Sequence, residues 1–151
     1  MKREISHTIQ IEASPAEVWA VLTNTTAFPD WNPFIRRLDG ELRTGATLAV
    51  TVAPPGRRSS TFRPTVLAAD SPRELRWLGR LLIPGVFDGE HRFVLEGLPD
   101  GSTRFTQAER FSGILVRLLS STLNDTEAGF QQMNEALKSR VEGARRTGPA
   151  A

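Results

Sequence analysis

The sequence predicts an α+β protein in which one antiparallel sheet of about seven strands curves around a long C-terminal helix. The first observation is the strict alternation of side-chain type from Thr103 to Phe111, which is typical of a strand. The second is the recurrence of apolar residues at intervals of three and four beyond Gly113, which is typical of an amphipathic helix. Turn signals separate further strand candidates, and short connections favour antiparallel pairing. A sheet needs its apolar face covered, and only the terminal helix is long enough to cover it.

The first third of the chain predicts a strand followed by two short helices. Apolar and polar residues alternate over residues 5–12, as in a strand. Ser14 is a candidate N-cap, Pro15 stands at the first helical position and Glu17 completes a capping box, so a helix begins here. The helical pattern ends after Leu22, because a run of threonine and asparagine follows. Residues 28–34 combine prolines with aromatic residues and predict a packed turn or a second short helix.

The rest of the chain predicts six further strands and the terminal helix. The strand candidates lie near residues 35–42, 46–53, 60–69, 73–80, 87–97 and 103–111. The sequence Pro-Asp-Gly at 99–101 is a hairpin signal before the last of them. Residues 120–125 are weak helix formers. We therefore expect a short helix near 114–120, a break, and the main helix from about 123 to 145.

Length and composition are those of an ordinary globular protein, with 151 residues, of which 39% are hydrophobic and 24% charged. They predict a single domain over residues 1–146 and a disordered tail at 147–151. The N-terminal residues lack the apolar core of a secretory signal. No apolar run approaches the roughly 18 residues of a membrane span. We therefore expect a cytoplasmic protein without a membrane span.

Several function classes are disfavoured by what the chain contains. It has no cysteine, which excludes a disulfide framework and a cysteine-ligated metal. Its only histidines are His7 and His91, so we predict no metal site. No glycine-rich phosphate-binding loop is present, and we predict no cofactor. The basic residues form scattered pairs and the formal net charge is only +2, so the pI of about 9.9 reflects arginine rather than a concentrated basic face. We therefore expect no nucleic-acid partner.

Several short motifs resemble those of one known family. They are Ser14-Pro15-Ala16-Glu17-Val18-Trp19, Phe28-Pro29-Asp30-Trp31-Asn32-Pro33, Leu75-Arg76-Trp77, His91-Arg92-Phe93 and Glu109-Arg110-Phe111-Ser112-Gly113. In this order of elements they resemble the polyketide cyclase/dehydrase branch of the START-like superfamily, over about residues 3–145. The resemblance implies the helix-grip fold of birch-pollen-allergen-like proteins, with a cavity between the sheet and the long helix. It leaves the occupant open, because members include lipid and hormone binders as well as aromatase/cyclases.

His91 and Glu109 are the best candidates for chemistry. Alternation places both on the inner faces of two strands that the hairpin at 99–101 joins. An imidazole beside a carboxylate can perform general acid–base catalysis on a carbonyl substrate. The alternative is that the two side chains bond each other or a water and orient a ligand, which we favour because few other polar groups converge there. His7 lies on the apolar face of the first strand and is interpreted as a core histidine with satisfied hydrogen bonds.

Large apolar residues on the inner faces are candidate wall residues of the cavity. Each could equally belong to a solid core, where its burial would contribute roughly 1.5–3 kcal/mol. Together with His91 and Glu109, the predicted ligand-binding residues are Trp31, Phe34, Phe62, Trp77, Phe93, Phe105, Phe111, Leu115, Phe130 and Met133.

The sequence thus predicts a protein that binds a small apolar or aromatic molecule, lipid-like or polyketide-like, between the sheet and the C-terminal helix. One alternative is an enzyme of cyclase or dehydratase type that acts on a polyketide-like substrate through His91 and Glu109. Another is a protein-interaction module, like the cochaperone relatives of this fold, which an exposed apolar patch outside the cavity would favour. The identity of the ligand and the oligomeric state are left open.

Overall fold

The chain folds into two antiparallel sheets and a long C-terminal helix, in a computed structural model that describes residues 1–81 and 83–147. The strands are β1 (Lys2–Ile11), β2 (Ile35–Asp39), β3 (Ala49–Val52), β4 (Ser60–Phe62), β5 (Thr65–Asp70), β6 (Glu74–Leu81), β7 (Phe87–Gly97) and β8 (Thr103–Ser112). The helices are α1 (Pro15–Thr23), α2 (Phe28–Trp31) and α3 (Ser120–Thr147), with one turn of 3₁₀ helix at Thr25–Ala27. The predicted α+β class, with antiparallel strands and a long terminal helix, is confirmed.

The strands divide between two sheets instead of forming one. Within the described residues, five strands pair in the order β1-β8-β7-β6-β5 and three in the order β2-β3-β4. The predicted strand at 60–69 is interrupted at Arg63 and Pro64, because a proline has no N–H to donate to a ladder. The carbonyl of Pro64 accepts the N–H of Leu48 at 2.9 Å, and the chain crosses there from one sheet to the other. The strand count in the described chain is therefore eight rather than seven.

Side-chain caps fix the turns that lead into the sheets. The hydroxyl of Ser14 accepts the N–H of Glu17 at 3.2 Å, as the capping sequence predicts. The buried Asn32 accepts the N–H groups of Phe34 at 3.0 Å and Ile35 at 2.8 Å, which turns the chain from α2 into β2. At the hairpin between β7 and β8, the hydroxyl and N–H of Ser102 bond the carboxylate of Asp100 and lower its pKa.

The approach to α3 differs from the prediction. Residues 114–119 form turns rather than a separate short helix, and α3 begins at Ser120 instead of near residue 123. Gly113 takes a φ of 120°, and the N–H of Ile114 bonds the carbonyl of Gly85 at 3.2 Å, so this segment is tied to the loop before β7. The helix includes Thr147, while the remaining residues of the predicted tail at 147–151 lie outside the described part of the chain.

One side of α3 is fastened to β1 along the edge of the larger sheet. Asn134 and Lys138 donate to the carbonyls of His7 and Gln10, at 2.9 and 2.8 Å. The carboxylate of Glu142 accepts the N–H of Glu12 at 2.9 Å. Phe130, Met133, Leu137 and Val141 enter the core from this helix. None of the helices in the described ranges has the length and apolarity needed to cross a membrane.

Candidate functional site

A cavity of about 240 Å³ lies between the N-terminal part of α3 and the two sheets. From β6, β7 and β8 it is lined by Trp77, Gly79, Arg80, Phe87, Gly89, His91, Glu109 and Phe111. From the smaller sheet and the approach to it, the lining residues are Phe34, Ile35, Val52, Ser60 and Phe62. From α3 and the preceding turn they are Leu119, Thr122, Leu123 and Thr126. The wall is mostly apolar, with few polar groups for a bound molecule to meet.

Two glycines on the larger sheet shape the cavity. Gly79 and Gly89 are direct partners in the β6–β7 register. A Cβ on Gly79 would lie 3.1 Å from Cδ2 of Phe62, and a Cβ on Gly89 would occupy the space of Oε2 of Glu109. Neither glycine was predicted from the sequence to have a role in the site. The available signal was that both stand at inner positions of alternating strands, where a glycine leaves space for a neighbouring group.

His91 and Glu109 are the polar pair at this wall. They are direct partners in the β7–β8 register, and Nδ1 of His91 lies 3.1 Å from Oε1 of Glu109. The side chain of His91 is 4% exposed and that of Glu109 is 14% exposed, so water reaches the pair mainly from the cavity side. The carboxylate of such a pair can accept a hydrogen bond from a hydroxyl group of a ligand and so orient it, or exchange a proton with it.

A line of hydrogen bonds connects His91 to β1 beneath α3. Nε2 of His91 lies 3.0 Å from Oε1 of Gln107, and Nε2 of Gln107 donates to Oδ1 of Asn134 at 2.8 Å. Nδ2 of Asn134 then lies 2.9 Å from both the carbonyl oxygen and Nδ1 of His7. Gln107 and Asn134 are fully buried, and His7 is half-buried. Asn134 was missed in the sequence, where its position beside the inward-facing Met133 was the available signal.

Aromatic rings hold His91 in place. Trp77 stacks on it with ring centroids 5.0 Å apart, and Phe130 approaches edge-on at 5.1 Å. Nε1 of Trp77 is buried and has no hydrogen-bond acceptor within the described residues. Buried donors are rarely left without an acceptor. Trp77 therefore lines the cavity and supports His91, while its N–H is a buried donor for which the described residues offer no acceptor.

The structure separates the predicted ligand-binding residues into two groups. Those on the cavity wall are Phe34, Phe62, Trp77, His91, Glu109 and Phe111. Those outside the wall are Trp31, Phe93, Phe105, Leu115, Phe130 and Met133. The reason is that alternation predicts which face a side chain takes, but not how far along the strand the cavity extends.

The residues of the second group lie in the hydrophobic core or at its edge. Phe105 is fully buried and stacks on Phe93 with ring centroids 6.0 Å apart, farther along the sheet than His91. Phe130 packs on Phe34 at 5.6 Å, behind the wall. Trp31 is half-buried and packs edge-on against Phe28 in α2. Leu115 is half-buried in the turns before α3, and Met133 is fully buried beneath that helix.

Antiparallel sheets packed around a long terminal helix, with a cavity between the sheets and the helix, define a START-like protein of the helix-grip class. The chain belongs to the polyketide cyclase/dehydrase and lipid transport family, whose model matches residues 2–142. The family predicted from the sequence motifs is thereby confirmed. No curated protein matches the chain in sequence.

Solved structures show the same fold. The ZhuI aromatase/cyclase of a Streptomyces species superposes with a TM-score of 0.81 at 15% identity, over 100% of both chains. A norcoclaurine synthase mutant of Thalictrum flavum, in complex with a transition-state analogue, gives 0.74 at 14% identity, over 96% of this chain and 97% of that one. A START superfamily protein of Mycobacterium smegmatis gives 0.70 at 21% identity, over 93% and 97%. At identities this low, structural similarity shows the fold and leaves the function open.

Proposed function

We propose that the protein binds a small, mostly apolar or aromatic molecule in the cavity, with a polar group of that molecule at His91 and Glu109. The observation that carries the proposal is a hydrogen-bonded imidazole–carboxylate pair on the wall of a mostly apolar cavity. Sites for small molecules combine this kind of apolar lining with a few placed polar groups that fix orientation. A cytoplasmic location for this activity remains a prediction.

The size of the cavity narrows the class of ligand. Its volume of about 240 Å³ lies below the roughly 300–1,000 Å³ of pockets that hold drug-sized molecules. A compact molecule of one or two rings, or a short acyl chain, fits this volume better than a long polyketide or a two-chain lipid. One hydroxyl group on such a molecule could donate a hydrogen bond to Glu109 of the polar pair.

The test uses Trp77 as the reporter of binding. Trp19 and Trp31 lie outside the cavity wall, so replacing both by Phe leaves Trp77 as the only indole. Tetralin, tetralol and tetralone share a two-ring body and differ in the absence or kind of oxygen. We expect saturable changes in Trp77 fluorescence, with tetralol binding about tenfold more tightly than tetralin because its hydroxyl can donate to Glu109, whereas tetralone, which can only accept, should bind like tetralin. A tenfold ratio corresponds to about 1.4 kcal/mol, close to the lower end of the roughly 1.5–3 kcal/mol contributed by a hydrogen bond to a charged group.

The matched variant is Glu109→Gln, which keeps the shape of the side chain and removes its charge. A binding protein should retain its affinity for tetralin and lose most of the preference for tetralol. Thermal unfolding of the variant controls for a loss of folded protein. If neither these compounds nor a panel of aromatic and fatty acids binds saturably, the proposal fails. The interaction-module alternative would then gain support, with the exposed Ile83, Ile114 and Leu118 as its starting point.

A catalytic role is the second candidate, because the His91–Glu109 pair has the geometry of a general acid–base pair. Two of the solved structures with this fold are described as an aromatase/cyclase and a norcoclaurine synthase. An enzyme should convert an aromatic polyketide precursor in the wild type and lose turnover in Glu109→Gln while still binding the substrate. A binding protein should show no turnover in either form.

A further inference from the structure

The hydrogen bonds between β1 and His91 can be satisfied by only one arrangement of donors and acceptors. The arrangement starts at the backbone carbonyl of His7, which can only accept. The side-chain atom of Asn134 that lies 2.9 Å from it must therefore be the amide nitrogen, since an oxygen there would face another oxygen. The same nitrogen lies 2.9 Å from Nδ1 of His7, which must then accept as well.

The orientation of the Asn134 amide determines the orientation of the Gln107 amide and, through it, the protonation of His91. Its oxygen faces Gln107, so the atom of Gln107 at 2.8 Å must be the amide nitrogen. The oxygen of Gln107 consequently faces Nε2 of His91 at 3.0 Å. Because an amide oxygen only accepts, Nε2 of His91 must carry a proton. A backbone group on β1 thus determines the tautomer of a histidine two strands away.

We propose that Gln107 and Asn134 are positioning residues that hold a proton on Nε2 of His91, so that Nδ1 of His91 and Glu109 share a second proton at the cavity wall. Nδ1 lies 3.1 Å from Oε1 of Glu109. Without a proton between them, the lone pair of Nδ1 would face a carboxylate oxygen in a buried site, which is unfavourable. The pair exists as imidazolium with carboxylate, or as neutral imidazole with carboxylic acid. Both forms have no net charge.

This inference extends the proposed function and rests on it for the choice of ligand. A pair without net charge favours a neutral hydroxyl, which can donate to Glu109, over a carboxylate, because a third charge would lack a counter-ion. The other charged side chain on the described wall is Arg80, whose Nε lies 3.8 Å from Oδ1 of Asp88. We expect tetralol to bind at least tenfold more tightly than tetralin carboxylate at neutral pH.

The proton positions can be read directly by ¹⁵N NMR of the ligand-free protein. With only His7 and His91 in the chain, long-range ¹H–¹⁵N correlation gives two imidazole spin systems. The ring nitrogens that carry a proton resonate far upfield of those that do not. We expect His91 to show a protonated Nε2 and a Nδ1 shifted toward the protonated position, and His7 to show an unprotonated Nδ1. A wild-type His91 with an unprotonated Nε2 would overturn the proposal.

Two variants separate positioning from simple packing. Gln107→Met removes the acceptor at Nε2, and Asn134→Leu frees the amide of Gln107 to rotate without touching His91. In both, the proton should leave Nε2 and His91 should become the Nδ1-protonated tautomer. His7→Leu is the control, because it keeps the backbone carbonyl and should leave His91 unchanged. An unchanged His91 spectrum in folded Asn134→Leu would contradict the proposal.

The test of the proton positions remains decisive if a variant fails to fold or if no ligand binds. The wild-type and His7→Leu spectra decide the proton positions alone, since both retain Gln107 and Asn134. A protonated Nε2 with no saturable ligand would support the positioning role while the proposed function fails. Saturable binding with an unprotonated Nε2 would do the reverse.

Discussion

At the scale of single residues, the absence of a side chain at Gly89 matters as much for ligand binding as the charged groups beside it. A Cβ there would occupy the space of Oε2 of Glu109, which is the movable end of a flexible side chain. Gly89→Ala should therefore fold normally, displace the carboxylate and remove most of the preference for tetralol over tetralin. Gly97→Ala is the control on the same strand, because its Cβ would meet only Pro15, at an ordinary 3.4 Å. Equal preference in both variants would show that the position of Glu109 does not matter for binding.

The sequence predicted some residues of the site and missed others for a physical reason. Strand alternation is enough to place His91 and Glu109 on one face, and the hairpin between them sets the register that makes them partners. The position of Asn134 depends on the rotation of α3 about its axis, which is set by packing against β1 rather than by helical periodicity alone. The position of Asn134 beside the inward-facing Met133 indicated roughly which side of α3 it occupies, but not its contact with Gln107, so the line of hydrogen bonds was not predicted.

At the scale of elements, replacing each of two glycines in α3 by alanine should change the stability of the protein in opposite directions. A Cβ on Gly129 would lie 2.7 Å from Cε1 of Phe34, a buried ring that cannot withdraw. A Cβ on Gly143 would meet no atom within 4 Å. Gly143→Ala should stabilise the protein by about 0.5–1 kcal/mol through helix propensity. Gly129→Ala should destabilise it by about 1–2 kcal/mol, because overpacking outweighs that gain.

Urea unfolding of the two alanine variants and the wild type measures both effects in one experiment. The slope of the transition should stay the same in all three, since the surface exposed on unfolding hardly changes. A stabilising Gly129→Ala would mean that α3 and Phe34 can move apart at little cost, and that the grip of this helix on the smaller sheet is loose.

Acid stability depends on how β1 is joined to its neighbours on the outer face of the larger sheet. A hydrogen bond from Arg92 at 3.0 Å, together with the charges of Arg92 and Arg110, holds the pKa of Glu4 below its ordinary value of 4.5. A lowered pKa contributes stability above about pH 4.5, and that contribution is lost as the pH falls through the folded-state pKa. Because Glu4 is 40% exposed, solvent screening limits the contribution to about 0.2–1 kcal/mol.

Glu4→Gln tests this contribution in chemical unfolding between pH 3 and pH 7. The variant should be less stable than the wild type near neutral pH, and the difference should shrink toward zero in acid as Glu4 of the wild type becomes protonated. Glu96→Gln is the matched control, since Glu96 lies on the same outer face and contacts one arginine instead of two. A difference that stays constant down to the lowest pH would contradict the assignment to Glu4.

At the scale of the whole molecule, the sequence predicted the class and the order of elements but not the division into two sheets. The turn signals and helix caps are local, and they place most elements to within a few residues. Pro64 marks the point where the chain leaves one sheet for the other, yet a proline alone does not reveal which strands will pair on either side. That division matters because the cavity lies where the smaller sheet, the larger sheet and α3 meet.

Substitutions in the smaller sheet should consequently change which ligands the cavity binds. Substitutions in the core of the larger sheet should instead change the stability of the protein. Phe62 is half-buried, lies on the cavity wall and packs over Gly79. Phe62→Ala should enlarge the cavity at a modest cost in stability and shift the preference from two-ring toward three-ring ligands. Phe105→Ala, in the fully buried core, should cost about 3–5 kcal/mol and leave the order of ligand preference unchanged. Fluorescence titration of Trp77 with ligands of increasing size, alongside thermal unfolding, measures both. If Phe105→Ala instead changes ligand size preference more than Phe62→Ala does, the binding site extends deeper along the sheet than the cavity wall described above.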